Sequence, residues 1–287
     1  MAISVSANAK INLFLDISSR RENGYHNIVS YMHSVSLCDT VTVDLNPSDS
    51  KIITVTCNNS DLPINEDNLV YKAALLYPII GEIKIHIEKR IPVSAGLAGG
   101  SADAAATLKA LDMLSSSPLG VDELCRIGSK LGADIPFCIK GGACIAEGIG
   151  EILNETRPMP HYPIVIAKMG EGMSTPAAYK ALDERFNNFI GYKVNADCLS
   201  ALTEHGEKDI TEYCNNLFNI FETVVEPLRP YVTEIKQIMK ENNAVGAMMS
   251  GSGTSVFGIF ENEADATSTV DILKGKGADA HICYPIV

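Results

Sequence analysis

One segment limits the folds open to this 287-residue chain more than any other. From Ile91 to Leu114 it reads IPVSAGLAGGSADAAATLKALDML. Glycines crowd its front, where they permit unusual backbone angles and close approach of a ligand. Alanines and leucines fill its back, with Ala104, Leu108 and Leu111 at helical spacing. Just before it, Ile83, Ile85 and Ile87 alternate with Lys84, His86 and Glu88, the period of a half-buried strand. The order is therefore strand, glycine loop, helix. The free N–H groups and positive dipole end of such a helix make an anion site, best suited to a phosphate. Ser101 falls at the helix start, where its hydroxyl can cap the helix, touch a phosphate oxygen or meet a magnesium ion. A flexible turn before a structural helix accounts for the same residues. The loop is neither the GxxxxGK[ST] of P-loop enzymes nor a dinucleotide GxGxxG.

Strands and helices mix along the rest of the chain. Val41–Leu45 and Ile52–Cys57 alternate as strands. Asn65–Asn68 reads as the cap of a helix over Leu69–Leu76, and a second helix is expected over Val121–Leu131, ending at Gly132. Pro158, Pro160 and Pro163 interrupt both helix and sheet, so a domain boundary is placed there, with domains 1–158 and 159–287. The second half begins with a strand at Ile164–Ala167. It continues with a helix over Val224–Glu241, strands on both sides of a glycine loop at SGSGTS, a helix near Glu263–Leu273 and a strand near Ala280–Tyr284. These patterns predict a two-domain α+β protein.

The formal charge of −12 and the scattered lysines and arginines argue against a nucleic-acid partner. No apolar run approaches the roughly 20 residues of a membrane helix. The N-terminus lacks a basic region and a small-residue cleavage site. A cytoplasmic protein without membrane contact is expected. The eight cysteines form no CxxC pair and have no histidines at zinc-like spacing, so reduced, buried thiols are expected. Nothing marks an oligomer, and monomer and homodimer both stay open. His33, His86, His161 and His205 have no partner pattern and receive no role.

The string Pro92-Val93-Ser94-Ala95-Gly96-Leu97-Ala98-Gly99-Gly100-Ser101-Ala102 resembles the phosphate-binding signature of the GHMP kinases, named for galactokinase, homoserine, mevalonate and phosphomevalonate kinases. Two further motifs of that family stand in the right order. They are Ala7-Asn8-Ala9-Lys10-Ile11-Asn12-Leu13 and Gly246-Ala247-Met248-Met249-Ser250-Gly251-Ser252-Gly253-Thr254. Ala98 and Ala102 replace a glycine and a serine of the commonest family loop, and the second change removes one hydroxyl. Within the family, Arg21-Glu22-Asn23-Gly24-Tyr25-His26, Glu66-Asp67-Asn68-Leu69 and Leu131-Gly132-Ala133-Asp134-Ile135-Pro136-Phe137 are similar to members acting on a cytidylyl-bearing alcohol.

The resemblance implies a two-domain GHMP kinase-like fold with the active site in the interdomain cleft, ATP and Mg²⁺ as cofactors, a small-molecule cytidylyl substrate and an uncommon left-handed βαβ crossover. It also implies roles. Asp134 is the expected catalytic base, although on its own residues it reads equally well as the N-cap of a turn containing Pro136. Lys10, on a strand face with Asn12 and Asp16, is the expected cation beside the reacting hydroxyl, and Asn12 a hydrogen-bonding neighbour. Residues 92–102 would hold ATP, and Asn68 its adenine, unless Asn68 serves as a helix cap. Tyr25 would stack on the cytosine and His26 would meet its polar edge. Tyr179 would supply a second ring. No metal ligands are assigned. Competing readings are another GHMP small-molecule kinase and a non-catalytic ATP-binding module.

Overall fold

The computed structural model describes residues 1–60, 62–204 and 209–287. The chain forms two compact units that interleave along the sequence. The first comprises Met1–Ala9, Cys38–Val93 and Ala98–Gly141; the second comprises Lys10–Leu37, Ser94–Leu97 and Gly142–Val287. Two long strands, β1 (Ala2–Arg20) and β2 (His26–Asn46), contribute residues to both.

In the first unit, β4 (Glu82–Glu88) pairs in parallel with β3 (Ile52–Cys57) and antiparallel with the end of β2, placing Val41 opposite Ile87 and Val43 opposite Ile85. The isoleucines of β4 face inward and the polar residues between them face out, as the alternation predicts. The helices α1 (Leu69–Leu76), α2 (Gly99–Leu114), α3 (Val121–Gly128) and α4 (Ile135–Lys140) cover that apolar face. Alanines Ala102, Ala104, Ala105 and Ala106 sit fully buried within this core. α3 stops at Gly128, three residues short of the expected end. Ser129–Leu131 continue as a turn, with Leu131 N and Gly132 N both donating to Gly128 O.

In the second unit, β5 (Ala143–Glu147) joins the start of β2 and forms a hairpin with β6 (Ile152–Glu155). A four-stranded antiparallel sheet includes β7 (Ile164–Lys168), whose apolar residues Ile164–Ala167 are buried on both faces. Around these strands lie α5 (Thr175–Arg185), α6 (Ala196–Thr203), α7 (Ile210–Cys214) and the short β8 (Phe218–Asn219), which pairs in parallel with β1 at Phe14.

The helix expected over Val224–Glu241 is two helices, α8 (Glu222–Leu228) and α9 (Pro230–Glu241). Pro230 disfavours the α conformation of the residue before it, and Arg229 lies outside the helical region at φ −137°, ψ 74°. Then come β9 (Gly246–Met249), β10 (Val256–Ile259), α10 (Glu263–Gly275) and β11 (Asp279–Cys283), completing the sheet in the order β11-β7-β10-β9.

None of the eight cysteines is in a disulfide; Cys144, Cys214 and Cys283 are buried, and the other five are only half-buried. Among the described residues no helix is long and apolar enough to cross a membrane.

Candidate active site

Three sequence motifs meet within the second unit. Lys10, Asn12 and Asp16 do lie along one face of β1, but that face is as buried as the apolar face carrying Ile11, Leu13 and Leu15. Burial of polar groups requires partners. Lys10 Nζ donates to Asn12 Oδ1 at 2.6 Å, Asn12 Nδ2 donates to Ser30 Oγ at 2.8 Å, and Ser30 Oγ donates to Phe14 O at 2.7 Å. Asp16 accepts from Tyr192 Oη and Asn195 N, each at 2.9 Å. Burial holds its carboxyl above the usual range, with these bonds opposing.

The front of the glycine loop joins this chain of contacts. Lys10 N donates to Leu97 O at 3.1 Å, and Ser250 Oγ donates to Gly96 O at 3.1 Å. Asn12 N reaches Ser250 Oγ at 3.4 Å. Gly96 adopts φ +75°, and a Cβ there would collide with the Ser250 carbonyl oxygen. Asn219 supports the other side of the third motif, with Nδ2 donating to Met249 O at 2.7 Å and Gly251 O at 2.9 Å. Sequence reasoning missed Ser30 and Asn219, which lie in no motif.

In the first unit, a different group of residues surrounds the start of α2. Its N-cap is Ala98, in the left-handed conformation at φ +57°, and no side chain caps the helix. Ser101 is therefore not the cap but a third-position residue, half-exposed and with no side-chain hydrogen bond among the described residues. The N–H groups of the first turn have no side-chain acceptor and are available to an anion. Gly100 faces Leu69, since a Cβ there would lie 3.6 Å from Leu69 Cδ1; likewise a Cβ on Gly132 would lie 3.9 Å from Ser101 Oγ. Leu69 and Gly132 thus flank the same helix end.

Asp134 occupies the N-cap position of α4, with Pro136 in the first turn, but its carboxylate makes no cap hydrogen bond. Asn68 caps α1, accepting from Val70 N at 3.0 Å while its amide donates to Pro63 O at 2.7 Å. Its second N–H and second lone pair remain for a ligand.

A buried ion cluster fastens α2 to the strand before the loop. Lys89 Nζ lies 2.5 Å from Asp39 Oδ2 and 2.8 Å from Asp103 Oδ2, while Asp39 Oδ1 accepts from Arg90 N and Ile91 N. Burial pushes the Asp103 carboxyl up to about 7; Lys89 opposes the rise and Asp39 adds to it. For Lys89 burial works downward, but Asp103 and Asp39 outweigh it and hold the ammonium above its ordinary value.

The aromatic candidates separate. Tyr25 follows a turn at Gly24 and is 60% exposed, with no ring partner among the described residues. His26 is buried and stacks on Tyr179, with centroids 4.7 Å apart and planes 25° apart. Phe189 meets the His26 ring edge-on at 5.8 Å. His26 Nε2 lies 2.6 Å from Asp183 Oδ1, and Arg20 Nε lies 3.2 Å from Asp183 Oδ2. Asp183 went unnoticed in the sequence, although it stands four residues after Tyr179 on α5, the spacing that puts two side chains on one helix face. His205 lies outside the described residues.

No group of three His, Cys, Asp or Glu residues among the described residues could hold a metal by itself. The helix start instead offers hard oxygen chemistry: the unengaged Ser101 hydroxyl beside an anion site. This fits magnesium, which keeps waters and phosphate oxygens as most of its ligands.

The family model for the GHMP kinases N terminal domain matches residues 68–142, and that for the GHMP kinases C terminal matches residues 198–279. A 4-diphosphocytidyl-2-C-methyl-D-erythritol kinase of Caldicellulosiruptor saccharolyticus is 42% identical, covering 94% of this chain and 92% of the relative. One of Clostridium novyi is 40% identical over 98% of this chain and 99% of the relative. A crystal structure of 4-(cytidine 5'-diphospho)-2C-methyl-D-erythritol kinase superposes with a TM-score of 0.79 at 30% identity, covering 99% of both chains. The glycine loop with its helix, the polar face of β1 and the glycine turn of the third motif are thus accompanied by likeness along nearly the whole length, and the chain belongs to the GHMP kinase family of small-molecule kinases.

Proposed function

We propose that this kinase transfers the γ-phosphoryl group of ATP to the 2-hydroxyl of 4-diphosphocytidyl-2-C-methyl-D-erythritol, giving the 2-phosphate and ADP in non-mevalonate isoprenoid precursor synthesis. One observation carries the substrate choice. His26 stacks on Tyr179 and is fixed by Asp183, next in sequence to the exposed ring of Tyr25. Flat rings with one polar, held imidazole suit a nucleobase. The names of the relatives agree with this reading.

In the reaction the substrate oxygen forms a bond to the γ-phosphorus as the bond from the β,γ-bridging oxygen breaks. Asp134 accepts the hydroxyl proton. Its carboxylate, free of capping duty, is available for that role. Lys10, oriented by Asn12, supplies positive charge at the attacking oxygen. Residues 92–102 hold the phosphates through backbone N–H groups at the start of α2, and Asn68 meets the adenine. Ser101 would hold magnesium, which neutralises the β- and γ-oxygens when bound. The expected division into domains 1–158 and 159–287 separates the two family matches, but the compact units interleave along the sequence and change over at Gly142 rather than at the proline cluster. We take the enzyme to be cytoplasmic, a monomer or homodimer, with no nucleic-acid partner.

The test is coupled detection of ADP release with ATP and magnesium, offering the cytidylyl compound, homoserine, mevalonate and galactose in parallel. Turnover of the cytidylyl compound alone, lost in Asp134→Ala, is expected. Turnover of another alcohol instead would overturn the substrate choice.

A further inference from the structure

The polar edge of His26 is already half committed. Nε2 faces a carboxylate at 2.6 Å, and a carboxylate can only accept, so the proton of that contact belongs to Nε2. Asp183 is itself fixed from its other oxygen by Arg20, whose guanidinium also donates to Asn188 Oδ1 at 3.1 Å. The ring cannot turn freely, since Tyr179 lies on its face and Phe189 against its edge. Nδ1 bonds to no described residue, and it is not among the buried atoms sealed without a partner. In the neutral ring protonated at Nε2, Nδ1 is a bare acceptor. A partner that fixes one histidine nitrogen thereby sets the hydrogen-bonding sign of the other.

We propose that Asp183 is a positioning residue that holds His26 in the Nε2–H tautomer, and that the bare Nδ1 so produced selects a cytosine base over a uracil base. The inference rests on the cytidylyl reading above and adds the reason for it. Cytosine presents an amino donor at its 4-position, which a bare nitrogen accepts. Uracil presents a carbonyl oxygen there, and two acceptors would face each other without a proton. Lost pairing in a buried site separates the two ligands by about tenfold or more.

The sign of Nδ1 is fixed by an acid, so replacing the acid by its amide is informative. Asp183→Asn keeps the shape but brings a side-chain amide that can donate to Nε2. The imidazole would then carry its proton on Nδ1, and the preference for cytosine would weaken.

Two readouts test this on the full chain. Nitrogen-15 NMR of the histidine rings near neutral pH reports which nitrogen of His26 is protonated, with His26→Gln used for assignment. The wild type is expected to show Nε2 protonated and Nδ1 bare, and Asp183→Asn to shift protonation toward Nδ1. A wild-type ring protonated on Nδ1, or on both nitrogens, would overturn the proposal without any need for a variant. The second readout is kcat/KM for the cytidylyl substrate against its uridylyl analogue. Asp183→Asn is expected to shrink the ratio about tenfold, mainly through KM. An unchanged ratio with an altered tautomer would overturn the role in selection. If the wild type turns over neither compound, the substrate reading and the selection role both fall, whereas the tautomer claim stands or falls by its nitrogen signals.

Discussion

Lys10 Nζ donates to Asn12 Oδ1 at 2.6 Å, and both side chains are buried on one face of β1. The two are adjacent on that face because successive residues of a strand point to opposite sides. Asn12 is held in turn by Ser30, so its oxygen cannot swing away from the ammonium. If Lys10 is the cation of the reaction, Asn12 works largely through it. Lys10→Met is expected to reduce kcat by at least about a hundredfold, and Asn12→Ala by about tenfold. The double variant should resemble Lys10→Met alone, because residues acting as a unit are not additive. Independent, multiplying losses would show that Asn12 serves the reaction by a separate route.

Gly96 ties the glycine loop to the third motif, and its backbone leaves no room for a side chain. At φ +75° an alanine is strained, and its Cβ would meet backbone rather than a movable side chain. Gly96→Ala is expected to destabilise the protein by about 2 kcal/mol or more and to raise the KM for ATP. Thermal melts with and without ATP check both. A variant with unchanged melting temperature and unchanged KM would show that the loop can move away from Ser250 without cost.

The Asp134 carboxylate does not cap its own helix. An aspartate at an N-cap position commonly stabilises its helix through its side chain. Here that bond is absent, while Pro136 supplies a preset first turn. Asp134→Asn should therefore melt within about 1 kcal/mol of the wild type while losing about a hundredfold or more in kcat. A large loss of stability with activity per folded molecule retained would mark Asp134 as structural.

Much of this was legible in the residues, for identifiable reasons. The strand at Ile83–Ile87 and the helix at Leu69–Leu76 follow from local periodicity and an asparagine cap, and tertiary packing does not override them. The paired helices at 222–241 were readable as one only by discounting Pro230. Burial of Lys10, Asn12 and Asp16 was not readable, because alternation alone places them on a wet face. Their partners Ser30, Tyr192 and Asn195 come from distant parts of the chain. Asn219 was invisible for the same reason, and Asp183 showed only its helical spacing from Tyr179, because each acts through a partner far away in sequence. The loop's departure from the common family sequence has a cost in strain, since Ala98 adopts the left-handed conformation that a glycine takes more readily.

The buried cluster behind that loop makes stability fall as pH rises. Burial raises the Asp103 carboxyl from 3.8 to about 7, Lys89 pulls against the rise, and Asp39 reinforces it. Its Oδ1 is sealed from solvent without a partner. The folded protein thus binds a proton at Asp103 more tightly than the unfolded chain does. Stability then falls as pH rises, because the unfolded state holds fewer protons. This contribution is fully present below about pH 4 and is lost progressively as pH climbs through about 7. Asp103→Asn cannot titrate, yet its amide oxygen can still accept from Lys89. The melting temperature of the variant relative to the wild type should therefore rise from pH 5 to pH 8. Parallel curves across that range would mean that Asp103 is already ionised at pH 5 and that Lys89 outweighs its burial.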